Sequence, residues 1–247
     1  MNLLQDFKTE PFIKALQSFF TNLNVPFNVI SEITTDAASI FGNKKYDANI
    51  TAIYPFAVVT DAIFNQDEVK ITQADIKNDK YEGILLFGVA LDKENPTRSQ
   101  LADITRMLNR EFKNIPVVVI FKYGNQLTFA NAERVDYKQE WREGEKVGKI
   151  SMLKDIDLNK THAAHERILL DLKNKNATTF DALYLHWQKV LNTKELNTKF
   201  YNDLFKWYLF AKDNVKFPND SLENEDSYIS ESLIRFISRI LFVFFLS

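Results

Sequence analysis

The fold class this sequence predicts is an α/β domain, a mixed sheet with flanking helices, followed by an all-helical subdomain. Three observations predict it. The run GILLFGVAL, closed off by turn residues, suits a strand buried on both faces, and a capped helix and a second apolar strand, VVVIFKY, follow it. Short β-branched and aromatic runs crowd the first part of the chain. From about residue 158 the apolar period becomes helical and stays so. The expected division is therefore 1–157 for the α/β domain and 158–247 for the helical subdomain, the latter expected to continue into a further carboxyl-terminal part.

The elements follow in order. Phe7, Phe12, Leu16, Phe19 and Phe20 recur at helical spacing, and Pro11 is tolerable near a first turn, so a helix is expected over about 7–23. PFNVI, ANITAIYPFAVVT and EVKITQADI read as strands, punctuated by Gly42, Asn43 and Asn65. After GILLFGVAL, Thr97 is placed to cap a helix with Gln100 at the reciprocal capping-box position, and that helix runs to about Lys113. Pro116 then opens VVVIFKY, and GNQLTFA is its hairpin partner across Gly124 and Asn125. The polar stretch 133–148 reads as an exposed loop, and KISMLKDI as a last strand. Helices are expected over 161–172, 180–191, 196–210 and 229–245.

Composition bounds the chemistry. The chain has 247 residues, with 31 Lys+Arg against 33 Asp+Glu and a formal net charge of -2, so affinity for nucleic acid would have to come from a local patch. There is no cysteine, which removes thiolate zinc sites, cysteine nucleophiles and disulfides. The start carries acids and lysines and lacks the apolar core of a signal peptide, so a cytoplasmic protein is expected. The apolar runs Ile84–Leu91 and Ile240–Leu246 fall short of the roughly 20 residues of a membrane helix. Phosphate-loop, dinucleotide-turn and nucleophile-elbow motifs are absent, as are the cofactor turn and catalytic loop of a DNA amino-methyltransferase.

Several groups are candidates for function. On the helix from residue 98, Leu101, Ile104, Leu108 and Phe112 share one side, and Arg98, Arg106, Arg110 and Lys113 are expected on the other, where guanidinium forks could track DNA phosphates. A magnesium nuclease would need one acid and an acid-x-lysine on neighbouring strands. Glu68 and Lys70 have that spacing, with Asp61 or Asp47 upstream, and Asp75 with Lys77 and Asp136 with Lys138 repeat it. GILLFGVAL, the natural seat for such carboxylates, carries none before Asp92, so the sheet is read as lacking a catalytic centre. His162 and His165, three apart behind Asp155 and Asp157, are read as a structural pair and not a metal site. The aromatic side chains at Tyr184, Trp187, Phe200, Tyr201, Phe205, Trp207, Tyr208 and Phe210 are expected to pack a core.

The end of the chain is read separately. Ile229, Leu233, Ile237 and Ile240 form a stripe opposite Arg235 and Arg239, but every position from Ile240 to Leu246 is apolar. A helix apolar on all sides is a buried helix. The expectation is a fragment of a longer polypeptide, or a partner that covers this helix; the alternative is a central helix of the helical subdomain.

The succession LLFGVALDKENPTRSQLADITRMLNREFKNIPVVVIFKYGNQLTFA, VGKISMLKDI, THAAHERILLDL, WQKVLNTKELNTKFYNDLFKWYLFA, VKFP and ESLIRFISRILFVFFL resembles the amino-terminal region of large type IIG-like restriction-modification DNA adenine methyltransferase polypeptides. The resemblance spans about 85–246. It implies an α/β sheet of restriction-endonuclease-like kind, a role in bacterial phage defence, and contact with DNA and with the methyltransferase part. S-adenosylmethionine and magnesium would be used by other parts of the parent and not by this chain. It implies an accessory, DNA-contacting region without catalysis of its own; a magnesium-dependent nuclease domain and a protein-interaction module are the alternatives.

Overall fold

The computed structural model describes residues 3–30, 34–65, 82–112, 115–136, 145–217 and 225–246. They fall into two compact units, Met1–Asn192 and Thr193–Ser247.

The first unit is built around six strands. The predicted amino-terminal helix is split by Pro11 into α1 (Asp6–Thr9) and α2 (Phe12–Asn22). β1 (Asn28–Val29), α3 (Ala37–Phe41), β2 (Ile50–Val59) and α4 (Asp61–Phe64) follow. The central segment is β3 (Ile84–Leu91), α5 (Arg98–Glu111), β4 (Val117–Tyr123), β5 (Gln126–Asp136) and β6 (Glu145–Asp157). Two helices, α6 (Ala163–Asp171) and α7 (Phe180–Leu191), complete it.

The strands lie in the order β1-β2-β3-β4-β5-β6. All neighbours are antiparallel except β3 and β4, which run parallel. A parallel pair needs a long crossover, and α5 supplies it, started by the full capping box of Thr97 and Gln100. This is the α/β fold predicted. Because side chains alternate along a strand, Leu86, Ile120 and Phe129 face one helical layer, containing α1, α2, α6 and α7. Leu85, Phe87, Val119 and Phe121 face the other, containing α3 and α5.

Three expectations change. PFNVI contributes only the two residues of β1, while EVKITQADI lies outside the described residues. Of the expected loop over 133–148, the described ends, 133–136 and 145–148, continue the β5–β6 pair, with Arg134 opposite Val147 and Asp136 opposite Glu145, and 137–144 lie outside the described residues. The first unit also ends at Asn192, not at 157, because α6 and α7 are part of its core. Trp187 is wholly buried, its ring edge-on to Phe129 at 5.8 Å, and its indole N–H donates to the Leu172 carbonyl at 2.9 Å. Leu169, Leu183 and Leu191 are buried with it.

The second unit is a helical hairpin of α8 (Thr193–Asn214) and α9 (Glu225–Leu246), each 22 residues long. Lys212 near the end of α8 pairs with Asp226 at the start of α9, at 3.0 Å, which fits an antiparallel arrangement. No helix among the described residues is long and apolar enough to cross a membrane.

Gly88 lets α2 lie close on β3. A Cβ there would stand 2.5 Å from Leu16 Cδ1 and 3.1 Å from Phe12 Cε1, both on α2. Gly88→Ala is expected to destabilise the chain by about 1–3 kcal/mol through overpacking, measured by urea unfolding; an unchanged midpoint would show that α2 is not held this tightly.

Candidate functional site

α5 carries the predicted cations, and its buried face decides which of them share a surface. Leu101, Ile104, Leu108 and Phe112 are buried as expected, but so are Ala102, Thr105 and Asn109. The Thr105 hydroxyl donates to the Leu101 carbonyl at 2.8 Å, and the Asn109 amide donates to the Ile115 carbonyl at 2.7 Å, tying the end of α5 to the approach to β4. Arg98 lies on the same helical line as Thr105 and Asn109, seven and eleven residues on, so it does not belong to the face of Arg106 and Arg110. It is exposed at the first turn, while Arg106 and Arg110, four residues apart, share the solvent face. Arg106 Nη1 donates to Asp103 Oδ1 at 2.9 Å across the surface, and Arg110 makes no ion pair among the described residues. Glu111 is taken by Lys44 from the segment after α3. Lys113 lies outside the described residues. The single predicted stripe is therefore a pair of arginines on one face with Arg98 apart from them.

The acids are engaged in backbone capping. Asp61 Oδ1 accepts the Phe180 N–H at 2.8 Å, and Thr179 Oγ1 accepts that of Ala182 at 3.2 Å, so two amides at the start of α7 are satisfied. Asp47 Oδ1 accepts the Asn49 N–H at 3.0 Å and its Oδ2 accepts from the Gln100 amide at 3.3 Å. Asp47 precedes β2 and Asp61 follows it, and ten extended residues span roughly 33 Å, so the two carboxylates cannot serve one ion. Neither β2 nor β3 carries a carboxylate. Glu68 and Lys70 lie outside the described residues, as do Asp75, Lys77 and Lys138. Among the described residues no group of three or more His, Asp or Glu could hold a metal ion.

The histidines act as helix fittings. His162 is the N-cap of α6, its Nδ1 accepting the Ala164 N–H at 3.1 Å, and its ring meets that of His165 edge-on at 6.1 Å. Burial holds the His165 imidazole below its usual range, and His162 adds to this while the Asp155 carboxylate opposes it. His186 bonds the Asp171 carbonyl at 2.8 Å.

One polar network has no counterpart among the expected groups. Between Leu127 and Phe129 the β5–β6 register shifts, so that Lys154 and Asp155 together face Thr128, and Asp155 takes a left-handed backbone with φ 58°. The buried Tyr123 hydroxyl donates to Asp155 Oδ1 at 2.8 Å and lies 2.5 Å from the Thr128 hydroxyl. Burial raises the phenol's pKa far above its ordinary value, so it stays a neutral donor. Lys154 also reaches the Asp155 carboxylate, at 2.6 Å. The network ties β4, β5 and β6 together at one end of the sheet. No local motif announces it, since Tyr123 and Asp155 are 32 residues apart and meet only through the bulge.

Searches of protein-family models, of curated proteins and of solved structures found no match to this chain.

The His165 geometry has a pH consequence. Its folded pKa lies below the unfolded value, so its contribution to stability is complete above about pH 6.5 and is lost as pH falls through the depressed folded pKa. His165→Phe is expected to flatten the fall in thermal midpoint between about pH 7 and 5. An unaltered slope would show that His165 titrates as in the unfolded chain.

Proposed function

We propose that this chain is the amino-terminal accessory region of a type IIG-like restriction-modification polypeptide, in contact with DNA and not catalytic by itself. The observation that carries the reading is a division of charge. The central strands β2 and β3 hold no carboxylate, whereas α5 carries a half-exposed Arg106 and an exposed Arg110 on one face, with Arg98 exposed at its first turn. Two guanidinium groups four residues apart on a helix reach successive backbone phosphates, and such contacts position a protein without reading sequence. The segment order that resembles the restriction-modification family supports the same assignment, with S-adenosylmethionine and magnesium used by the methyltransferase part and not by this chain. On this reading the protein works in the bacterial cytoplasm in defence against phage, and its sheet is a restriction-endonuclease-like scaffold without the cutting centre.

The hairpin favours protein docking as a second component. Phe236, Ile240 and Val243, at spacings of four and three, form one exposed flank of α9. A flank of this kind suits the methyltransferase part of the same polypeptide, because burying it removes apolar surface from water without needing charged partners. The magnesium-nuclease alternative, built on Glu68 and Lys70, has Asp61 committed to the start of α7 and Asp47 to Asn49 and Gln100.

Duplex binding over a salt series tests the reading. The Arg106→Ala, Arg110→Ala double variant is expected to bind more weakly at all sequences and to lower the salt slope by about two, one for each phosphate no longer neutralised. An unchanged slope would remove α5 from the DNA surface. Plasmid incubated with magnesium is expected to stay intact; nicking abolished by Glu68→Ala would establish the nuclease alternative instead.

A further inference from the structure

The two units differ in what they bury. Both core clusters of the first unit are drawn from residues up to Leu191, so its interior is complete without the hairpin. In the hairpin, the buried apolar side chains among the described residues are Ala211 and Leu233. The aromatic side chains expected to pack a core divide accordingly. Tyr184 and Trp187 are buried in the first unit, whereas Tyr201, Phe205 and Phe210 of α8 are 65%, 59% and 67% exposed. Most of the stability of a helix in a folded protein comes from the face it buries, so the difference is one of stability as well as of surface.

The local features of the hairpin do not make up for the missing burial. α8 contains Thr198, Asn202 and Asp203, and α9 contains Ser227, Ser230, Ser232 and Ser238, all residues that favour a helix weakly. Ser230 Oγ also turns back to the Asp226 carbonyl at 2.8 Å, a bond that competes with the helical ladder. The ion pair between the helices, Lys212 with Asp226, has its carboxylate side chain 88% exposed, so water screens it. With no cysteine in the chain, no disulfide staples the two helices. Nor does the order of α7 carry over along the backbone. Asn192, at φ -72° and ψ 117°, is extended between Leu191, the last residue of α7, and Thr193, the first of α8, so the helix cannot propagate from one unit into the next.

We infer that the hairpin is a conditionally ordered element, a cooperative unit of its own that is marginally stable in this chain because its apolar rows are uncovered. Coverage and helix order then form one equilibrium. A surface that binds the ordered hairpin stabilises it, and a change that orders the hairpin strengthens that binding by the same factor. The inference rests on what the hairpin buries and is independent of the DNA contact proposed for α5 and of which surface docks on α9.

Hydrogen exchange of the full chain, resolved along the sequence by mass spectrometry, tests this. The amides of α8 and α9 are expected to be protected less than about a thousandfold, and those of β3 and β4 more than about ten-thousandfold. Leu233→Ala is expected to abolish the remaining protection in α8 and α9 and to leave β3 and β4 unchanged, since it empties a contact internal to the hairpin. Asn202→Ala is expected to raise protection about two- to threefold, again in the hairpin alone, by improving helix propensity without touching a core. Phe236→Gln, on the exposed flank of α9, is expected to change hairpin protection by less than about threefold. Equal protection of hairpin and sheet would overturn the inference, as would a Leu233→Ala effect that spreads to β3 and β4. So would a hairpin indifferent to Asn202→Ala, or a larger loss on Phe236→Gln, which would show that the row is already covered.

Discussion

The parallel pairing of β3 with β4 is the constraint on which the first unit depends. Both strands are buried on both faces, so neither can tolerate a charge along its middle, and their parallel sense forces the chain to cross from one end of the sheet to the other. The crossover is α5, which must lie on one face of the sheet. The opposite face then needs its own cover, and it comes from both ends of the unit: α1 and α2 before the strands, α6 and α7 after them. Trp187 shows how closely these are joined, since its ring meets Phe20 from α2 as well as Phe129 from β5.

This arrangement also governs where chemistry can sit. With β2 and β3 free of charged side chains along their buried middles, charged groups are pushed to the ends of strands and the outer faces of helices, where several carboxylates are taken up in capping. Asp36 caps α3, Asp61 caps α7 and Asp47 binds the turn before β2. Each of these carboxylates already accepts a backbone N–H, so these acids, which look available in the sequence, are engaged in the fold. The functional reading falls on α5 and not on the sheet because α5 sets Arg106 and Arg110 on one face while β2 and β3 carry no carboxylate.

Much of this is legible in the sequence because the governing signals are local. The capping box at Thr97 and Gln100, the twice-buried strands and the hairpin turn at Gly124 each declare themselves within a few residues. The departures share a different origin. Arg98 falls on an unexpected face because Thr105 and Asn109 are polar in composition yet buried in fact, each donating to a backbone carbonyl that hydropathy does not register. Asp61 resembles a metal ligand because its partner, the Phe180 amide, is 119 residues away. The unit boundary reads too early because α6 and α7 have the period of any amphipathic helix, and nothing in that period says whether the surface they bury is a sheet or other helices.

The hairpin carries the same ambiguity to its limit. On α9 the apolar positions occupy an arc wide enough for two neighbours besides α8, so a single antiparallel partner covers only its middle and leaves a flank on either side. Had the uncovered residues been scattered, they would be ordinary surface. On α9 many of them instead recur at helical spacing in two rows, Ile234 with Ile237 and Leu241 beside α8 and Phe236 with Ile240 and Val243 on the other side, while Phe242 lies apart from both. The two rows lie on different sides of the α8 seam, so one further helix cannot cover both. Satisfying both requires two neighbours on different sides.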